Sequence, residues 1–227
     1  GYNSPSITFG TTTLTAAGST DMYIVKYDSS GNVLWANRGA GSGYDDVKSV
    51  AVDASGNVIA TGSFDGPSIT FGTTTLTNAN TVFSDIFVVK YDPSGNVLWA
   101  KKQDAGGNYF DVATSVAADA FGNVYVTGFF DYGSITFGAF TLTNQGGVGP
   151  IFDMFLVKYD ASGNVLWANR AGNCGDEEGI STTTDASGNV YVSGRFNCST
   201  IFGATTLTTT GGTDIFIAKY DTSGNVL

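Results

Sequence analysis

The chain has no histidine among its 227 residues. That removes the Ser-His-Asp triad and every His-ligated metal from consideration, and with them the common hydrolase and metalloprotease routes. Proline is nearly absent, with four residues, and there are only two cysteines. No apolar run approaches the ~20 residues that a helix needs to cross a bilayer, so no membrane insertion is expected. Positive charge is scarce as well: 10 Lys and Arg stand against 20 Asp and Glu, a net charge of -10. Such a surface repels nucleic acid and anionic membranes, so neither is expected as a partner. No Gly-rich phosphate loop lies between a strand and a helix.

What is abundant is glycine, 31 residues, in a background of Thr, Ser and Asn. That composition suits short strands joined by tight turns, and an all-β fold follows. Seven copies of Asp-x-Ser/Phe-Gly-Asn-Val punctuate the chain in two alternating settings. Asp28, Asp92, Asp160 and Asp221 follow an apolar run ending in Lys-Tyr, whereas Asp53, Asp119 and Asp185 follow a run of small residues. One long unit therefore carries two hairpins and recurs about every 64 residues.

The turn has a mechanism. In Asp92-Pro93-Ser94-Gly95 the carboxylate accepts backbone N–H groups, Pro fits the second corner, and Gly95 closes a type I turn with a G1 bulge. Read as a calcium loop the string lacks the spaced carboxylates and distant Glu of an EF-hand. Each unit is expected to hold strands A (Val47–Asp53, Val112–Asp119, Ile180–Asp185), B, C and D, with a Thr-rich hairpin inserted between B and C. Period-2 alternation in Met22-Tyr23-Ile24-Val25-Lys26-Tyr27 marks half-buried strands. Trp35, Trp99 and Trp167 share one slot of strand D, where packing of sheet on sheet is the expected use and a sugar platform the alternative. Small residues in strand A suit a strand crowded near a central axis.

Four antiparallel strands per unit with short connections predict a β-propeller of about 3.5 four-stranded blades rather than a β-solenoid. The expected division is a half blade at 1–39, blades at 40–103 and 104–171, and a truncated blade at 172–227. Closed propellers have four to eight blades. The segment is accordingly expected to be an excerpt completed by flanking blades, or to pair with a second copy of itself.

Two stretches resemble the SBBP repeat, named for the seven-bladed beta-propeller: Val-Ala-Val-Asp-Ala-Ser-Gly-Asn-Val-Ile-Ala-Thr-Gly (50–62) and Ser-Asp-Ile-Phe-Val-Val-Lys-Tyr-Asp-Pro-Ser-Gly-Asn-Val-Leu-Trp-Ala (84–100). The likeness extends over nearly the whole chain and implies a large secreted or surface-displayed bacterial protein. The Ser-Ile-Thr-Phe-Gly and Thr-Leu-Thr insertion resembles versions in surface proteins of the Bacteroidota, often exported by type IX secretion. From the exposed Thr-rich insertions and the acidic face, the expected function is a non-enzymatic extracellular interaction or adhesion module that contacts surface proteins or glycans. The alternative is a glycan-binding or carbohydrate-active propeller.

Three features remain as site candidates. Acidic residues outside the turns, Asp45, Asp46, Asp104, Asp111, Asp176, Glu177 and Glu178, fall between strands D and A. Asp65 and Asp131 after strand B, and Asp21, Asp85, Asp153 and Asp214 before strand C, are expected on the same face. Asp176, Glu177 and Glu178 form the densest cluster, and their hard oxygens make them calcium candidates, against a plain reading as solvated charge. Cys174 and Cys198 occur in one unit, where the first unit has Ser42 and Gly66. A pair gained together fits a disulfide and an oxidising, extracellular setting, with free buried thiols as the alternative. No catalytic residue and no cofactor is nominated.

Overall fold

The computed structural model describes residues 1–78, 83–105, 111–131, 133–145 and 151–227, and every long element among them is a strand. The first partial unit comprises β1 (Ser6–Phe9), β2 (Thr12–Thr15), β3 (Met22–Tyr27) and β4 (Val33–Gly41). The second runs β5 (Asp45–Val52), β6 (Val58–Phe64), β7 (Ser68–Phe71), β8 (Thr74–Thr77), β9 (Asp85–Tyr91) and β10 (Val97–Ala105). The third repeats this as β11 (Val112–Ala118), β12 (Val124–Asp131), β13 (Ser134–Phe137), β14 (Phe140–Thr143), β15 (Phe152–Tyr159) and β16 (Val165–Ala171). The last has β17 (Glu177–Thr184), β18 (Val190–Phe196), β19 (Thr200–Phe202), β20 (Thr205–Leu207) and β21 (Asp214–Tyr220).

Pairing is antiparallel in the order A–B–C–D: β5-β6-β9-β10 and β11-β12-β15-β16 are complete, β3-β4 is a half and β17-β18-β21 lacks most of its fourth strand. These sheets are the blades of an all-β propeller, about three and a half of them. β11 starts at Val112 as expected, whereas β5 and β17 start earlier than their apolar patterns suggest, because the ladder continues past a bulge to Asp45 and Glu177. At each bulge a glycine of strand B (Gly62, Gly128, Gly194) faces the carbonyl of Asp46, Val112 or Glu178 so closely that no side chain fits.

The seven turns are built alike. Asp92 accepts the Ser94 and Asn96 N–H groups on Oδ1, at 2.8 and 2.9 Å, and Asn96 Nδ2 on Oδ2 at 2.8 Å. Gly95 supplies the positive φ, +89°. Those three donors consume the carboxylate within five residues, so its role there is to hold the hairpin. The side-chain and backbone N–H groups of Asn96 hold Asp92 below the usual carboxylate range.

The inserted hairpins do not stay with their own sheets. β7 follows β6 in sequence yet pairs with β4 of the preceding unit, Ala40↔Thr70 and Gly41↔Ile69. β13 pairs in the same way with β10, Asp104↔Thr136 and Ala105↔Ile135. The tip glycine returns to its own blade: Gly72 lies against Val97 and Gly138 against Val165. Each of these two hairpins therefore straps two blades together and extends the sheet edge of the earlier one, whereas β1–β2 and β19–β20 form two-stranded sheets of their own.

Between blades the core forms from one face of each sheet. Met22 and Ile24 share a buried cluster with Phe87 and Val89 of the next blade, and Ile69 and Phe71 of the strap complete it. The tryptophans lie in these seams. Trp35, Trp99 and Trp167 donate their indole N–H to Pro93, Ala161 and Thr222 in the next blade's turn, at 3.1, 3.0 and 3.1 Å. Each ring also meets a tyrosine of that blade, Tyr91, Tyr159 or Tyr220, with ring centres 5.8 to 6.5 Å apart. A ring used this way is not free to stack on a sugar.

The A strands lie side by side. The Val116 N–H donates to Ser49 Oγ at 3.2 Å and the Thr182 N–H to Ser115 Oγ at 3.1 Å, so a small polar residue in each links it to the next.

Candidate functional site

The acidic residues outside the turns begin or end strands, and the seams bring them together. Asp21, Asp85 and Asp153 stand at the start of the C strands; Asp45, Asp111 and Glu177 stand at the start of the A strands one unit later. Asp65 follows β6 and Asp131 ends β12, where the last unit has Asn197 after β18. Because β3 packs on β5 and β15 on β17, acids from adjacent blades meet at each junction.

Asp45 is fully buried and neither of its carboxylate oxygens has a hydrogen-bond partner among the described residues. Burial first, then the fields of Asp21 and Asp65, push its pKa up to about 7; the Gly41 N–H lies near enough to oppose this slightly, without hydrogen-bond geometry. Asp21 accepts the Ala17 N–H on Oδ2 at 2.6 Å, and its Oδ1 is buried and unmatched. Asp65 is engaged by the Tyr44 N–H.

The second junction repeats the pattern. Asp111 accepts the Asp131 N–H at 3.1 Å on Oδ1, leaving Oδ2 buried without a donor. Burial, with the charges of Asp131 and Asp85, raises it to about 7. Asp85 faces Lys102 at 3.4 Å. At the third, Glu177 is fully buried with both oxygens unmatched, and burial plus the charges of Asp153 and Asp176 raise it to about 8. The Asn173 N–H approaches Glu177 without meeting hydrogen-bond geometry. Asp153 takes Arg170 at 2.8 Å and the Gln145 N–H at 3.0 Å on Oδ2, and its Oδ1 is buried without a partner.

The three successive acids Asp176, Glu177 and Glu178 are thus divided among separate surroundings. Asp176 accepts Asn197 Nδ2 at 2.9 Å and the Phe152 N–H at 3.2 Å. Glu177 turns inward toward Asp153. Glu178, on the opposite face of the strand, holds Arg195 with both oxygens at 2.7 and 2.9 Å. Asp46 is bound to Lys48 at 2.6 Å, Asp214 accepts the Thr210 N–H at 3.2 Å, and the Asp104 side chain lies outside the described residues. Among the described residues no three acidic side chains stand close enough to hold a metal ion by themselves.

Cys174 and Cys198 are bonded, with Cα atoms 5.7 Å apart. The bond ties the segment leading into β17 to the segment leaving β18, beside the Asp176–Asn197 pair. A further charged pair lies on the opposite side of the blades: Lys90 Nζ meets Asp53 at 2.9 Å, both buried, and donates to the Gly122 carbonyl of the next blade at 3.1 Å. The signal for it was the Lys-Tyr-Asp string in every unit, whose lysines reach the next blade's turn: Lys26 to Pro93 and Lys158 to Thr222. A shallow cleft recurs at the outer seam, lined in one copy by Asn37, Arg38, Tyr91 and Asn96 and in another by Asn169, Arg170, Tyr220 and Asn225.

No family model matches the chain. It is 30% identical over 207 residues, 83% of its length, to an uncharacterized WD repeat-containing protein of Acanthamoeba polyphaga mimivirus, of which it covers 15%. It is also 30% identical over 142 residues, 63% of its length, to the regulatory protein FlaEY of Caulobacter vibrioides, of which it covers 14%. The chain spans about a seventh of the length of these curated relatives. The first likeness is to a protein named for its repeats, in agreement with a propeller-type repeat architecture.

Proposed function

We propose that the chain is a non-enzymatic, protein-binding propeller module of an extracellular or cell-surface bacterial protein, and that its partner is another blade of the same repeat type. The observation that carries the reading is the exposed face of the last blade. Ile215 and Ile217 of β21 are 82% and 74% exposed, whereas Ile86 and Val88, which hold the same places in β9, are 1% and 0% exposed under the following blade. At the opposite end Val50 and Val52 of β5 are also exposed, while Val116, the counterpart of Val50 in β11, is buried, although β3 already covers the C-strand side of that end. Ile215 and Ile217 thus present one half of a junction that the molecule already makes internally, where Met22 and Ile24 of β3 pack on Phe87 and Val89.

The WD repeat-containing relative supports an interaction role, and the bonded cysteines support an oxidising, extracellular setting. The SBBP resemblance supports bacterial display, with surface proteins preferred over glycans because each tryptophan is engaged by the next blade's turn and tyrosine. Sedimentation velocity over a wide concentration range tests the reading. Reversible association that disappears in the Ile215→Glu, Ile217→Glu double variant is expected. A wild-type chain that stays monomeric throughout and matches the variant would remove the proposed surface.

A further inference from the structure

The three acidic junctions have no role in blade-to-blade docking by apolar faces, yet they recur with the same chemistry. Each joins a C-strand acid of one blade to an A-strand acid of the next. At each, the A-strand acid is nine-tenths buried or more and leaves at least one oxygen aimed into the junction without a donor: both oxygens of Asp45, Oδ2 of Asp111 and both oxygens of Glu177. Two of the C-strand acids add a buried, unmatched oxygen of their own, Asp21 Oδ1 and Asp153 Oδ1. Buried acceptors of this kind are rare in folded proteins because each forgoes its bonds to water. One such oxygen is an irregularity; the same arrangement at three successive junctions is a built feature.

The substitutions among the copies keep the donor type. Glu replaces Asp at position 177, and Asn replaces Asp at position 197, and both retain a hard oxygen. Two of the C-strand acids also meet a basic residue, Asp85 with Lys102 at 3.4 Å and Asp153 with Arg170 at 2.8 Å. Arg170 offsets the charge of Asp153 through Oδ2, yet Asp153 Oδ1 and both oxygens of Glu177 still lack a donor.

We propose that each blade junction binds a divalent cation of the calcium class between its two acids: Asp21 and Asp45, Asp85 and Asp111, and Asp153 and Glu177. Calcium takes six to eight oxygens in flexible geometry and accepts main-chain carbonyls and water. Two carboxylates per site therefore suffice as an anchor, which fits the absence of a three-acid cage among the described residues. Magnesium, which needs a near-ideal octahedron, fits such a pair poorly. Sites with so few charges belong to the weak class of extracellular modules, with Kd on the order of 10⁻⁴–10⁻³ M. Because each ion contacts two blades, binding clamps the seam that the straps and tryptophans also close. Of the three acids singled out by the sequence, Glu177 alone is a ligand in this arrangement.

Isothermal titration of the full chain with calcium chloride at pH 7.5 tests the proposal, with magnesium chloride as comparison. Three ions per chain and a rise in melting temperature are expected. Asp45→Asn, Asp111→Asn and Glu177→Gln should each remove one ion, and Glu178→Gln none. These near-isosteric changes relieve a buried charge, so the variants should keep the wild-type far-UV circular dichroism, and lost binding then reports a lost ligand. Absence of heat and of any thermal shift at about 10 mM calcium, well above that Kd range, overturns the proposal. So does uptake that the three variants leave unchanged.

Discussion

Removing the Trp99 side chain tests the physical basis of the array most directly, since that ring works in the seam between two complete blades. It is 9% exposed, lies at 6.1 Å from Tyr159 in a stacked arrangement, and donates to the Ala161 carbonyl at 3.0 Å. Truncating a buried Trp to Ala costs about 3–5 kcal/mol through lost transfer energy and the cavity left behind. Trp99→Phe retains most of the apolar surface and loses the hydrogen bond, leaving the carbonyl to find water, for about 1–2 kcal/mol. Trp35 is less buried than Trp99, so Trp35→Ala should fall below the Trp99→Ala value. Urea unfolding followed by far-UV circular dichroism measures all three. A Trp99→Ala loss under about 1 kcal/mol would refute the claim that this ring closes the seam, because a surface aromatic lies in that range.

The buried acids dictate a pH dependence in the metal-free chain. Asp45 and Asp111 are raised from 3.8 to about 7 and Glu177 from 4.5 to about 8, so between the ordinary and raised values the folded state holds protons the unfolded chain has released. Their contribution to stability is therefore complete below pH 4 and is lost as pH rises through 7 to 8. Turn aspartates such as Asp92 and Asp185 are lowered and act in the opposite sense, their contribution fading as pH falls below about 4. Thermal melts in chelator should peak in mildly acidic buffer, and Asp45→Asn should flatten the alkaline limb; a limb of unchanged slope contradicts the assignment. Reducing Cys174–Cys198, which closes a loop of sequence separation 24, should lower stability by about 3 kcal/mol in the chain-entropy account, read as a shift of the urea midpoint under reductant. Gly95→Ala should destabilise more than Gly31→Ala. Both have φ near +85°, but only the new methyl at 95 would press on the Trp35 ring, 2.9 Å away, while position 31 is open. Equal midpoint shifts would show that the contact is without consequence.

The sequence determined the strands, the turns and their repetition, because each of these closes over a short stretch of chain. Asp92 finds all three of its side-chain partners within five residues, and the period of two along Met22–Tyr27 needs only neighbours to be recognised. The shared tryptophan slot likewise pointed to packing without any knowledge of its partner.

Only the tertiary structure decided what meets across a seam. The inserted hairpin could have paired with its own sheet, and nothing in Ser68–Thr77 says that Gly41 of the preceding unit is its partner. Nor does composition reveal that Glu177 and Glu178 part company. That follows from the register Glu177↔Phe196 and Glu178↔Arg195, which sends one carboxylate into the junction and the other to a surface arginine. The acids read as one loop cluster became three buried pairs because each partner comes from a different blade. Such an encounter is set by the stacking of sheets on one another, which no local pattern encodes.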